Sequence, residues 1–340
     1  MRTVLALSLL SSGCCFAPSA PTNATVPASP PTPPIAAPVQ PPIARVPLAD
    51  PVFAVVSGVG VVRYDGDGFE PVLETAQRVS DVAFGPSGEV LVVTDGVVRV
   101  LDGPAPRELP LPAPGVGVES IEVAPTGSIV ATAQGGFARF EDGQWTLTRL
   151  DAVVPDPWQL DGLALTELAL DRAFRGVACG SHDAFEEGTT TPRRLYVSGR
   201  ADENWVGIAW SWEDLVLIQD HHVYRRDASS SWTHIDHPLG DLALRSVAVG
   251  ADGTIVVGAI GAIAVIPREG DVRTVFLAAI GSEAHWVASI ARDAEGRTWV
   301  GSDRTLAVLG PDLTLAAEWN GDRVPLLQGG VDQLAIRLRP

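Results

Sequence analysis

The two ends of this chain's patterned region are complementary pieces of one repeating unit. Residues 331 to 338 (VDQLAIRL) read as a first strand with nothing after it, while the unit that begins at Pro51 lacks its first strand. Between them a motif of about 42 residues recurs, the period of a propeller blade rather than of a helical solenoid. The anchor residues Asp81, Ser120, Glu167, Gly207, Ser246, Ser289 and Gln333 follow one another at spacings of 39 to 47, which makes seven units. Two half-units that complete each other demand a closed ring, because an open array would leave two bare strand edges.

Each unit carries short runs of Val, Ile, Ala and Leu, too short for helices and bounded by turn residues. VSDVAFGPSGEVLVVTDGVVRVLDG from Val79 shows the pattern: a strand, a turn at 85–88, a second strand, the Asp95-Gly96 turn, a third strand and Asp102-Gly103. Glycine ends these turns because it takes the positive φ that a tight hairpin requires. A fourth strand often carries an aromatic residue, as at Phe69, Trp145 and Trp232. The expected fold is therefore all-β: a seven-bladed β-propeller of four-stranded antiparallel blades over residues 51–340, its first blade closed by the C-terminal strand.

The segment AEGRTWVGSDRTLAVL, residues 294–309, resembles the repeat of two-component regulator propellers, with Trp299-Val300-Gly301-Ser302 as its core. Residues 52–338 are also similar to the broader seven-bladed YVTN and WD-repeat-like class. The resemblance implies a sensing or interaction role and carries over no catalytic residue.

The first 50 residues read differently. Met1-Arg2, the apolar run from Thr3 to Leu10 and Ser11-Ser12-Gly13-Cys14 resemble a bacterial lipoprotein signal over residues 1–15, with Cys14 as the lipidated position. A plain secretory signal is the alternative. Cys15 after Cys14, in place of Asp, points by the same resemblance to the outer membrane. Residues 16–50 are expected to be a disordered proline-rich linker, with twelve prolines between residues 17 and 51. At about 3.1 Å per residue in polyproline conformation such a spacer reaches on the order of 100 Å.

With 24 basic and 41 acidic residues the net charge is −17, which disfavours nucleic acid or an anionic membrane surface as partner. The membrane is expected to be met through the lipid anchor alone. Cys179 is the single cysteine beyond the signal, so no internal disulfide is available to the propeller. Beside it lies His182, and a catalytic pair of the two competes with a buried structural thiol.

Three further constellations bear on function. His221, His234 and Asp236 share a sheet face if 226–231 is a hairpin turn, a set able to hold Zn²⁺; solvated histidines on an outer strand are the alternative. The innermost strands offer Asp81, Glu119 or Glu122, Glu167 and Asp332 to a central channel. A metal-dependent hydrolase or lyase working there is the second functional reading, because the fold resembles gluconolactonase-like propellers. No nucleophile elbow, HExxH motif or cofactor fingerprint occurs, and no cofactor is expected.

The first functional reading uses the loop-rich rim, formed by the connections between blades and the second-to-third strand turns. It places there Trp158, Asp202, Asn204, Trp205, Asp220, His285, Trp286, Asp303, Arg304 and Arg323. Tryptophan and arginine among acids are the residue types of binding hot spots, so a non-catalytic module for a protein, peptide or glycan is expected. Tryptophans that merely cap blade ends are the bland alternative.

Overall fold

A computed structural model of the chain describes residues 45–336, apart from 104, 152, 155–164, 172, 181–182, 189–190, 196–204, 211–213 and 228–230. The expected signal, Cys14 and nearly all of the linker lie outside the described residues, as do Trp158, His182, Asp202 and Asn204.

Seven four-stranded antiparallel sheets form the ring. Blade 1 orders Val331–Ile336, Val52–Val56, Gly60–Tyr64 and Phe69–Glu74, so the C-terminal strand is its innermost member. The innermost strands of blades 2 to 7 are Val79–Phe84, Val118–Val123, Leu165–Leu170, Trp205–Trp210, Leu244–Val249 and Val287–Arg292. The outermost are Arg107–Glu108, Gln144–Arg149, Arg193–Leu195, Trp232–Ile235, Arg273–Phe276 and Leu315–Asn320. The second strand of every blade is buried along its whole length, which explains why those segments read as unbroken apolar runs rather than alternating ones.

All seven innermost strands carry the same bulge, one residue before the anchor position. The extra residue breaks the ladder and turns the strand toward the axis. It also frees backbone N–H groups that neighbouring anchors capture. Ile121 N–H donates to Asp81 Oδ2 at 2.7 Å, and Leu334 N–H donates to Ser289 Oγ at 2.9 Å, each bond crossing from one blade to the next.

The last inter-blade loop must slide between blades 7 and 1 to deliver the closing strand. Gly330 has φ of 80°, and a Cβ there would meet the backbone oxygen of Asp303 at 2.6 Å. Only glycine serves at that point.

Blades 7 and 1 meet through aromatic rings. Trp299 and Trp319 lie nearly parallel with centroids 6.2 Å apart, and Tyr64 packs 4.8 Å from Trp319 and 5.9 Å from Trp299. The chain before Pro51 joins this seam: Val46 is buried, its N–H donates to the Tyr64 hydroxyl at 2.8 Å, and Arg297 donates to Pro47 O at 2.6 Å. The ordered unit thus reaches back at least to Arg45, into residues expected to be linker.

On the far side of the ring the blades meet through charge. Glu186 in blade 4 is buried and takes Arg175 at 2.5 Å and Arg226 of blade 5 at 3.4 Å, with Arg193 as a third partner. Glu187 accepts from Arg139 of blade 3 at 2.6 Å and from Gly176 N–H at 2.8 Å. Asp214 of blade 5 accepts from Arg225 and from Arg268 of blade 6, each at 2.6 Å. Burial works to raise the Asp214 carboxyl, but the two guanidinium groups override it and hold it below the usual range. All 24 basic residues of the chain are arginine, and their planar fork suits such carboxylate clasps better than an ammonium would.

Candidate functional site

The innermost strands of all seven blades enclose a cavity of about 610 Å³ on the ring axis. The anchor position of every blade lines it, joined in blades 1 and 3 by the residue two beyond, which shares the anchor's strand face. In six blades that second position is alanine: Ala83, Ala169, Ala209, Ala248, Ala291 and Ala335. In blade 3 it is Glu122, which breaks a column otherwise held bare.

The deep carboxyls lie on one side of the cavity. Blades 2 to 4 present Asp81, Glu122 and Glu167 beside Val82 and Leu168, whereas blades 5 to 7 present Ser246 and Ser289 among Val206, Gly207, Ile208, Val247 and Ile290. Asp81 is buried and occupied by the fold: Ser120 Oγ donates to it at 2.5 Å, Ile121 and Val82 N–H each at 2.7 Å, and Gln333 Nε2 from blade 1 completes the set. Burial still pushes its carboxyl above the ordinary range against those bonds. It stitches blades 1, 2 and 3 together.

Glu122 takes a hydrogen bond from the Val123 backbone alone, and no hydrogen bond offsets the burial of Glu167. Glu122 is half-buried and Glu167 keeps exposed surface within the cavity, yet protein surrounds both. Confined water in a protein-walled channel solvates a charge poorly, so the enclosure governs. Loss of solvation, followed by the negative charge of Asp81, pushes each carboxyl up to about 8. Behind Glu167 lies the buried thiol of Cys179, paired opposite it across the strands and pushed well above its ordinary value by burial and by Glu167. Such a thiol is no nucleophile.

At the rim end, the bulge position brings Arg245 and Asp332 to the cavity, with Arg78 and Ser57 beside them. Arg78 pairs with Glu119 at 3.8 Å, and Ser57 donates to Asp332. The Arg245 guanidinium lies 4.8 Å over the Trp286 ring, and its Nε is buried without a partner. Of the two glutamates proposed for blade 3, Glu122 enters the channel and Glu119 stays at its mouth.

Among the predicted rim residues, Trp286 is 42 % exposed and His285 is exposed beside it, with His285 O accepting from Gly261 N–H at 2.6 Å. Asp303 and Arg304 are exposed on the blade 7 turn, 3.9 Å apart, and Arg323 is exposed in the closing loop. Asp220 is half-buried, its carbonyl accepting from Leu244 N–H. The Trp205 backbone opens the innermost strand of blade 5. These residues are spread over blades 5, 6 and 7 rather than gathered into one cluster. The structure adds Phe276, exposed at the end of blade 6's outermost strand, and Arg245, neither of which the sequence reading singled out.

The proposed histidine set is corrected. Tyr224, not Val223, faces His234, one step away from the expected register. A one-residue shift sends each side chain to the other face. His222 therefore meets His234 at 3.1 Å, and His237 Nε2 donates to His221 O at 3.0 Å. Among the described residues no three His, Cys, Asp or Glu side chains converge to hold a metal.

The fold is shared with several solved propellers. Virginiamycin B lyase from Staphylococcus aureus matches with a TM-score of 0.58 at 15% identity, over 71% of this chain and 84% of that one. YCF48 from Cyanidioschyzon merolae matches at 0.59 and 16%, over 79% and 98%. The WD40 propeller of Doa1 matches at 0.56 and 11%, over 75% and 86%. Similarity at this level establishes the seven-bladed ring and nothing finer. No protein-family model and no curated protein matches the sequence.

Proposed function

We propose that this protein is a non-catalytic binding or sensing module, held outside the cytoplasm by a lipid on Cys14, which takes a protein, peptide or glycan on the rim around the channel mouth. The observation that carries the reading is the top of blade 6. Among the described residues, Trp286 and Phe276 are two of the four exposed large apolar side chains, and Arg245 lies over the Trp286 ring with an unpartnered Nε. An exposed indole already stacked by arginine is preorganised for a polar, partly planar ligand such as a peptide group or a sugar. The predicted residues Asp303, Arg304 and Arg323 extend the same rim across blade 7.

The test is capture of envelope proteins and of a glycan panel on the immobilised chain. Trp286→Ala combined with Arg245→Ala is expected to weaken the specific ligand by about 2 kcal/mol or more, the scale of a hot spot. Full retention of every captured ligand by that variant would remove the rim reading. Lipidation is checked separately, by detergent partitioning of the parent against Cys14→Ser.

A second reading, hydrolase or lyase chemistry in the channel, draws on the two carboxyls raised to about 8, the range of a general acid or base. It needs an activated nucleophile or metal beside them, and Asp81 is already consumed in holding blades together.

A further inference from the structure

Glu122 and Glu167 are the two channel carboxyls that do not hold the ring together. Glu122 stands where six of seven blades keep alanine, so the fold itself has no need of a side chain there. Independently, Ser246 lines the same cavity from blade 6, is only 8 % exposed, and has no partner for its hydroxyl; Gln333 Oε1 from blade 1 is also unpartnered. Buried polar atoms left in this way carry a free-energy cost that a ligand can relieve.

The chemistry of these groups selects the ligand. The carboxylates and the Gln333 oxygen accept hydrogen bonds, and the Ser246 oxygen can do so. The cavity's cationic side chains, Arg78 and Arg245, lie at the mouth, one paired with Glu119 and the other stacked on Trp286. The deeper space therefore offers carboxyl and amide acceptors, and serine hydroxyls that can donate or accept, but no cationic side chain. A bare metal ion does not fit, because no three ligating side chains converge among the described residues. An ammonium group, with three donors and one charge, spans groups set further apart. Val206 and Val247, half-buried on the opposite side beside Ser246 and Ser289, give a short hydrocarbon chain apolar contacts.

We propose that the channel binds a small aliphatic amine, with its ammonium on Glu122 and Glu167 and its methylenes toward Val206 and Val247 of blades 5 and 6. This site is independent of the rim reading, since the two use different residues. The charged and titratable groups facing the pair are Asp81 from blade 2, Asp332 from blade 1, Cys179 behind Glu167, and Arg78, Glu119 and Arg245 at the mouth. An ammonium stabilises the ionised carboxyls, so below about pH 8 binding releases protons, and affinity rises with pH through that range.

The test is calorimetric titration of the full chain with cadaverine, and with pentanediol as its uncharged counterpart, in buffers of differing ionisation enthalpy. Cadaverine is expected to bind with proton release and pentanediol not to bind. Glu122→Ala restores the residue that six blades already carry, so folding is preserved; with Glu167→Gln it is expected to weaken cadaverine roughly tenfold or more, as loss of charge-assisted bonds predicts. Equal binding of diol and diamine, no binding of cadaverine, or an unchanged affinity in the double variant would overturn the proposal. Loss of cadaverine binding on Trp286→Ala alone would place the amine on the rim and overturn it too.

Discussion

The seam between blades 7 and 1 and the seam around Glu186 do the same job with opposite chemistry. At the first, Trp299, Trp319, Tyr64 and Phe69 interlock as rings. At the second, Glu186, Glu187 and Asp214 are clasped by arginines from their own and neighbouring blades. Aromatic burial stabilises without directional demands and tolerates the approximate fit of two chain ends that meet last. A buried ion pair contributes little net stability, because desolvation offsets most of the attraction, but it penalises any wrong pairing heavily. The closure is therefore built for strength and the far side for register.

The largest effect that would test this contrast is removal of the closing strand. Truncation after Gly330 is expected to abolish the single cooperative melt and produce association through the bared edge of Val52–Val56, read by circular dichroism and gel filtration. Next, Trp319→Ala should cost about 3–5 kcal/mol in urea unfolding, as truncation of a buried aromatic does. Glu186→Ala should cost about 3 kcal/mol by stranding the buried Arg226, yet Glu186→Leu with Arg226→Leu should recover most of it. No partner substitution should rescue the tryptophan. If the double leucine variant is as unstable as Glu186→Ala, the charged seam is a source of strength after all.

The channel glutamates make a smaller, pH-dependent contrast within the same ring. Their carboxyls sit near 8 in the folded protein against an ordinary 4.5. The unfolded chain therefore gives up its protons first, and folded stability declines as pH rises from 4.5 toward 8. Glu122→Gln with Glu167→Gln should flatten that decline and leave the melting temperature below pH 4.5 unchanged. Smallest of all, Arg193→Ala should move stability by less than about 1 kcal/mol, because that guanidinium is largely solvated.

The ring was legible in the sequence because its signal is redundant: seven anchors, their turns and two complementary ends all report one period. Even the anchors proved to be a physical feature, the residue that follows each bulge. The charged seam was not legible, because its partners lie about one repeat apart, as Arg139 and Glu187 do at 48 residues and Arg226 and Glu186 at 40. Such contacts emerge only when blades are laid side by side, and that comparison also exposes Glu122 against its column of alanines. The histidine set failed on a single step of register. Phe276 gave no signal because an exposed phenylalanine at a strand end looks like any other strand aromatic.

The pairing of Val52–Val56 with Val331–Ile336 also governs when this molecule can come into being. A chain emerging from the ribosome holds its first blade unfinished until Val331–Ile336 has arrived, long after Val52–Val56. Until then the arc of blades waits with two open flanks, vulnerable to proteases and to other nascent arcs. Assembly is thus tied to the delivery of Val331–Ile336, and the ring cannot close before that strand is released.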